Sequence, residues 1–163
     1  MHLERGGLDL AYLERFVEVA RRRGIDEIGF TEHAYNFVEA APLLNRPQYV
    51  AERSSGFAID DYVRLIDEAK RRGLPVKLGI EMDYIEERER DIAAFLAEYP
   101  WDFVIGSVHW IGDWPFDIDP ASWEGRDVAT AYRDYFERAE RAIRCRLFDV
   151  FAHPDLIKIF GHR

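Results

Sequence analysis

Apolar residues recur at helical spacing in four segments of the chain. In the first segment, Leu10, Leu13 and Val17 would lie on one face of a helix, and Gly24 would end it. The segment that begins near Ile59 repeats this pattern and stops before Gly73. Predicted helices cover about residues 8–23, 59–72, 87–98 and 127–145.

Short and mostly apolar runs alternate with these helices and predict four strands, at about residues 26–31, 76–80, 103–108 and 148–152. Alternation of this kind is typical of a parallel sheet covered by helices, either open or closed into a barrel. Residues 34–56 and 110–123 have the composition of loops. The pattern therefore predicts a single α/β domain over residues 1–163.

A residue that can bind a metal follows each predicted strand. These residues are His33, Glu81, His109 and His153, and His2 stands where a preceding strand would end. The carboxyl ends of parallel strands form one functional face, so the side chains would converge there. A lone histidine at a strand end is usually an ordinary hydrogen-bonded residue, but four equivalent positions favour a site. Imidazoles that share a carboxylate suit Zn, Mn or Fe.

Composition narrows the classes of function. The net charge of −9 argues against a general nucleic-acid surface. The single cysteine, Cys145, allows no internal disulfide, and no apolar run reaches the length of a membrane-spanning helix. The first residues lack the basic and apolar regions of a signal peptide, so we expect a soluble cytoplasmic protein. Ser107 lacks a nucleophile-elbow setting, and no glycine-rich phosphate loop is present.

Five stretches together resemble the PHP family, whose name stands for polymerase and histidinol phosphatase. The likeness is greatest to the histidinol-phosphate phosphatase branch, and the ending Lys158–Arg163 also resembles that branch. The stretches are His2-Leu3-Glu4-Arg5-Gly6, Gly29-Phe30-Thr31-Glu32-His33-Ala34-Tyr35, Gly79-Ile80-Glu81-Met82-Asp83, Ile105-Gly106-Ser107-Val108-His109 and Ala152-His153-Pro154-Asp155.

The resemblance implies a distorted barrel of seven βα units that holds up to three divalent ions, Zn, Mn or Fe. Glu81 would be the catalytic carboxylate, which bridges two metals and holds the attacking hydroxide. The implied reaction is hydrolysis of L-histidinol phosphate to L-histidinol and phosphate in histidine biosynthesis. Arg163 would contact the phosphate, although a solvated terminal charge explains it equally well. The implied metal ligands are His2, His33, Glu81, His109 and His153.

The sequence departs from the family pattern at both ends. A first strand and the first histidine of a His-x-His motif are not found before His2, and a later Asp-x-His pair has no counterpart. We therefore expect a partial TIM-like barrel that lacks its first strand and its C-terminal βα units. As a truncated phosphatase, the chain would be weakly active or inactive.

Two other functions remain open at this point. The chain could be another PHP phosphoesterase that acts on nucleotides, or a non-catalytic remnant or subunit that a partner chain completes. Trp110 or Trp114 could form a wall of the substrate pocket or could pack beneath a loop. Glu4 could also reach a metal, but we expect it at the surface. The sequence indicates neither the oligomeric state nor which metal binds.

Overall fold

A computed structural model of the chain describes residues 1–44 and 56–161. Its α-helices are α1 (Leu10–Arg22), α2 (Ile59–Arg71), α3 (Glu89–Ala97) and α4 (Val128–Arg144). Its strands are β1 (Ile28–His33), β2 (Val76–Asp83), β3 (Phe103–Ser107), β4 (Trp110–Ile111), β5 (Trp114–Pro115) and β6 (Val150–Phe151). Short 3₁₀ helices cover Ala34–Asn36, Val38–Ala40, Glu86–Arg88, Pro120–Trp123 and Leu156–Lys158.

The main sheet contains four parallel strands in the order β1-β2-β3-β6. This arrangement confirms the predicted α/β class, in which helices connect parallel strands. Within the described residues the sheet is open at β1 and β6, as expected for a partial barrel. None of the helices in the described ranges combines the length and the apolar character needed to cross a membrane.

Two of the α-helices, α1 and α4, begin at a capping aspartate. Asp9 accepts a hydrogen bond from the backbone N–H of Tyr12 and starts α1, and Asp127 does the same for Thr130 at the start of α4. Each helix then buries one apolar face, as Leu13 of α1 illustrates. The resulting core holds the sheet against its helices, and a second apolar cluster lies between α4 and the segment after β3.

The structure corrects the boundaries of several predicted strands. The first strand covers Ile28–His33 and not residues 26–31, because it is paired with β2 along that whole range, so His33 is its last residue. The second strand does not stop before Glu81 but continues to Asp83, because it is paired with β1 on one side and with β3 on the other. The last strand is shorter than residues 148–152, because it has one neighbouring strand and its backbone turns at His153, where φ is 28°.

The predicted loops contain short regular elements. The segment after β3 forms an antiparallel hairpin of β4 and β5, followed by a 3₁₀ helix. Residues 34–44 include two 3₁₀ helices, and the remaining predicted loop residues, 45–55, lie outside the described residues.

Met1 lies alongside the outer edge of β1. Its carbonyl oxygen accepts a hydrogen bond from Thr31 N at 2.8 Å, and its amino group lies 3.0 Å from Gly29 O. His2 therefore follows a residue that is hydrogen-bonded to the sheet, which is the position expected at the end of a preceding strand.

Two aspartates form matching contacts at the start of β3 and just before β6. The Asp102 side chain accepts the N–H of Leu78 at 2.6 Å, and its own N–H donates to Leu78 O at 2.7 Å. Asp149 makes the same pair of contacts with Val104, at 2.8 Å and 2.9 Å. Each side chain thus satisfies a strand N–H where the neighbouring strand begins, which fixes the register of the next strand.

We predict that Asp149→Ala destabilises the fold by about 1–3 kcal/mol, because the half-buried Val104 N–H loses its acceptor. Urea unfolding of the chain measures this change. Asp26→Ala is the matched control, because Asp26 also precedes a strand but is exposed and has no hydrogen-bond partner among residues 1–44 and 56–161. Equal stability of the two variants would contradict the assigned role.

Candidate metal centre

The candidate site is built around Glu81, at the carboxyl end of the sheet. Glu81 pairs in register with His33 of β1, so the two side chains leave the same face of the sheet. Asp83 lies two residues further along β2 and therefore shares that face. His109 and His153 follow β3 and β6, which brings both towards the same end.

Four imidazoles surround the Glu81 carboxylate. The Nε2 atoms of His153, His109 and His33 lie 3.1, 3.6 and 3.8 Å from its Oε1 atom. The Nε2 atom of His2 lies 3.8 Å from Oε2. The structure therefore brings together all five residues that were predicted as metal ligands, and it presents the same nitrogen of each histidine to one carboxylate.

The charge states of Glu81 and His2 suit metal ligands. Burial raises the pKa of Glu81, but its hydrogen bond with His153 and the nearby imidazoles outweigh burial and lower the pKa to about 2. Burial and the neighbouring His33 lower the pKa of His2 to about 4. At neutral pH Glu81 is thus an anion and His2 a neutral imidazole, which are the forms that bind metals.

Two further carboxylates orient histidines of the site. Glu4 Oε2 lies 2.9 Å from His33 Nδ1, and Asp83 Oδ1 lies 2.7 Å from His109 Nδ1. A carboxylate at Nδ1 fixes the ring and leaves Nε2 free to face a metal. The expected surface position of Glu4 was wrong, because its side chain is only 22% exposed and also accepts a hydrogen bond from Asn36.

Ring stacking supports the outer histidines. His2 and His33 are stacked with centroids 4.3 Å apart and an interplanar angle of 7°, and Tyr35 stacks on the other face of His33 at 4.7 Å. Neither Asp83 nor Tyr35 is among the predicted site residues. A signal was available, since Asp83 follows Glu81 at the spacing that shares one strand face.

The donor set fits a pair of divalent ions. His2, His33 and Glu81 form one group whose ligand atoms lie within 4.8 Å of one another, and Glu81, His109 and His153 form another. Two imidazoles and one carboxylate are a common set for a catalytic zinc with an open position. Since both groups contain Glu81, its carboxylate could bridge two ions.

A third group, His2, Glu4 and Glu32, fits an ion less directly. Its carboxylates already have partners, because Glu32 accepts the N–H groups of Leu3 and Glu4 at 2.5 and 3.0 Å. Burial raises the pKa of Glu32 to about 7, so this carboxyl is partly protonated at neutral pH. The described residues therefore favour two ion positions over the three that the resemblance implied.

Other predicted site residues are placed differently. Trp114 donates its indole N–H to Ser122 Oγ at 3.0 Å, and its ring packs against Trp123 and Arg126, which favours the role beneath the loop. Trp110 is buried in the core cluster next to the sheet. Arg163, the predicted phosphate contact, lies outside the described residues.

Comparison with known proteins agrees with this arrangement. The family model described as PHP domain matches residues 10–163. The chain belongs to the PHP domain family. This membership confirms the resemblance drawn from the five sequence stretches, and the parallel sheet with histidines at its carboxyl end is the frame on which this PHP domain is built.

Several relatives of this PHP domain have curated names. A probable histidinol-phosphatase of Deinococcus radiodurans is 34% identical over 154 residues, which cover 90% of this chain and 55% of that protein. A histidinol-phosphatase of Lactococcus lactis subsp. lactis is 36% identical over 150 residues, covering 91% of this chain and 49% of that protein. The chain thus spans about half the length of the curated relatives it matches.

A solved structure shares the fold of this PHP domain. It is the crystal structure of histidinol phosphate phosphatase from Lactococcus lactis subsp. lactis complexed with zinc, L-histidinol and phosphate. The TM-score is 0.67 at 24% identity, and the match covers 86% of this chain and 51% of that chain.

The Asp83–His109 pair makes stability depend on pH. Burial lowers the pKa of His109, but Asp83, with Asp117 and Glu81, outweighs burial and raises the pKa to about 9. A raised histidine pKa contributes stability that is complete below the unfolded value of about 6.5 and is lost as the pH rises through about 9.

We predict that the metal-free chain loses on the order of 3 kcal/mol of stability from this pair between pH 6.5 and pH 9. Asp83→Asn should flatten that loss, because the amide keeps the shape of the side chain but not its charge. Urea unfolding in a chelator at both pH values measures the difference, with the exposed Asp67→Asn as control. A slope in Asp83→Asn as steep as in the wild type would refute the coupling.

Proposed function

We propose that the protein is a metal-dependent phosphomonoesterase that hydrolyses L-histidinol phosphate to L-histidinol and phosphate. The observation that carries this proposal is the Glu81 carboxylate, which lies 3.1–3.8 Å from the Nε2 atoms of four histidines. The names of the curated relatives support the substrate, since these relatives are histidinol-phosphatases.

The residues divide the work of the site between them. His2 and His33 would hold one divalent ion and His109 and His153 a second, with Glu81 between the two. Bound ions of this kind would polarise a phosphoryl oxygen and lower the pKa of a bound water to about 7. Zinc is supported by the bound zinc in the related solved structure, and imidazole and carboxylate ligands also suit Mn and Fe.

The protein's own groups would prepare the site before substrate arrives. Glu4 and Asp83 accept the Nδ1–H protons of His33 and His109, which orients each ring so that Nε2 faces inwards. Glu81 supplies a fixed negative charge between the two histidine pairs. The catalytic role of Glu81 in this proposal would be to hold both ions, which would supply the activation of water.

The proposed substrate is a small phosphorylated molecule and not a nucleic acid. The net charge of −9 would repel an extended phosphate backbone, while a local cationic centre can still bind one phosphate. A place in histidine biosynthesis and a cytoplasmic location belong to the same proposal. Arg163 remains the candidate for a phosphate contact.

We also propose that the 163 residues form a single but partial PHP domain. The chain spans about half the length of its curated relatives, and its open sheet leaves β1 and β6 as edges within the described residues. Open sheet edges would weaken the site, so we expect these 163 residues alone to turn over more slowly than a full-length relative.

Metal binding is the first test. Native mass spectrometry of the chain with Zn²⁺ should show two bound ions, and Glu81→Gln should lose both, because the neutral amide cannot bridge them. The exposed Glu87→Gln is the matched control and should bind as the wild type does. Wild-type stoichiometry in Glu81→Gln would contradict the proposed site.

Phosphate release tests the substrate. With Zn²⁺, Mn²⁺ or Fe²⁺, the chain should release phosphate from L-histidinol phosphate faster than from a nucleoside monophosphate. Glu81→Gln should slow the release of phosphate by more than the roughly 10- to 100-fold that is typical when a residue that only orients a metal ligand is replaced. A preference for the nucleotide would favour the other PHP phosphoesterase. A metal-bound chain that cleaves neither compound would favour the non-catalytic or partner-completed subunit.

A further inference from the structure

His153 differs from the other strand-end histidines in how it is held. The rings of His33 and His109 are each oriented by a carboxylate at Nδ1. Within the described residues, His153 Nδ1 is buried without a hydrogen-bond partner, and only Nε2 has one, the carboxylate of Glu81. With no carboxylate at Nδ1, the direction of this ring depends on its backbone and on its contact with the His109 ring, whose centroid is 5.0 Å away.

The backbone of His153 is in an unfavourable conformation. Its φ of 28° lies in the left-handed region, which residues with a side chain rarely adopt. Such a conformation persists only where surrounding contacts impose it. The ring depends on this turn, because β6 ends at Phe151 and the chain must change direction to bring Nε2 to 3.1 Å from Glu81.

A buried hydroxyl contacts the strained residue. Tyr135 of α4 donates its O–H to the carbonyl oxygen of His153 at 3.1 Å. The same oxygen accepts the N–H of Leu156 at 3.0 Å, so both of its lone pairs are used. Tyr135 is fully buried, and its ring meets Phe116 edge-on with centroids 5.3 Å apart.

We propose that Tyr135 is a positioning residue for the metal centre, because its hydroxyl fixes the backbone of His153 and thereby aims Nε2 at Glu81. This inference rests on the proposed metal site. Tyr135 of α4 thus orients His153, as the carboxylates of Glu4 and Asp83 orient His33 and His109.

The test compares Tyr135→Phe with Tyr62→Phe. Tyr62 is equally buried and also donates to a backbone carbonyl, that of Gly79, at 3.0 Å. Gly79 is held by strands on both sides, so Tyr62→Phe removes the same kind of bond without freeing a ligand. Both variants keep the ring and lose one hydroxyl.

Zn²⁺ affinity is measured on the full 163-residue chain by competition with a chelator. Tyr135→Phe should bind about 10- to 100-fold more weakly than the wild type, which is the usual effect of an outer-shell change. Tyr62→Phe should bind Zn²⁺ within about twofold of the wild type, because its hydroxyl contacts no metal ligand. Equal affinity of Tyr135→Phe and wild type, or an equal loss in both variants, would overturn the inference.

A second readout needs no metal. The backbone ¹³C chemical shifts of His153 report its φ, and they should be left-handed in the metal-free wild type and shift in Tyr135→Phe. If Tyr135→Phe does not fold, the wild type provides the test. Chemical shifts that become left-handed only after Zn²⁺ is added would contradict a His153 backbone that is fixed before the metal binds. A wild type that binds no Zn²⁺ would refute the metal site itself, whereas normal Zn²⁺ binding by Tyr135→Phe would refute only the positioning role.

Discussion

A buried negative charge must be compensated, and in this fold that requirement falls on Glu81. Glu81 is 5% exposed near the end of a central strand, where an isolated anion would be costly. Four histidines from separate segments supply the compensation, and each can reach it only if the parallel strands end together. The sheet register and the strand lengths bring the histidines to Glu81. The contacts of Asp102 and Asp149 fix that register.

The histidines reach the same carboxylate by different physical means. His33 and His109 are aimed through their rings by acidic side chains, His2 is stacked on His33, and His153 is aimed through a strained backbone. A metal bound here would replace direct contacts between Glu81 and imidazoles with ligand bonds, and it would have to displace the proton that Asp83 favours on His109. Metal binding, charge and fold stability are therefore coupled at this site.

The sequence was sufficient to predict the order of elements and the convergence of the ligands, because both follow from short-range periodicity and the geometry of parallel strands. The spacing could place Asp83 on the face of Glu81, but the sequence was not sufficient to pair Glu4 and Asp83 with their histidines. Each meets a histidine more than 20 residues away, and the pairing depends on strand register. The end of β2 was misjudged for the same reason, because pairing on both sides extends the strand past Glu81. The left-handed turn at His153 has no sequence signal comparable to glycine.

Anomalous diffraction at the zinc absorption edge, from crystals of the chain grown with Zn²⁺, tests the central claim most directly. The account predicts two peaks on either side of the Glu81 carboxylate, about 3.5–4 Å apart as in other two-metal sites. One should contact His2 and His33, and the other His109 and His153. Zinc bound elsewhere, with the four imidazoles still in direct contact with Glu81, would contradict the account.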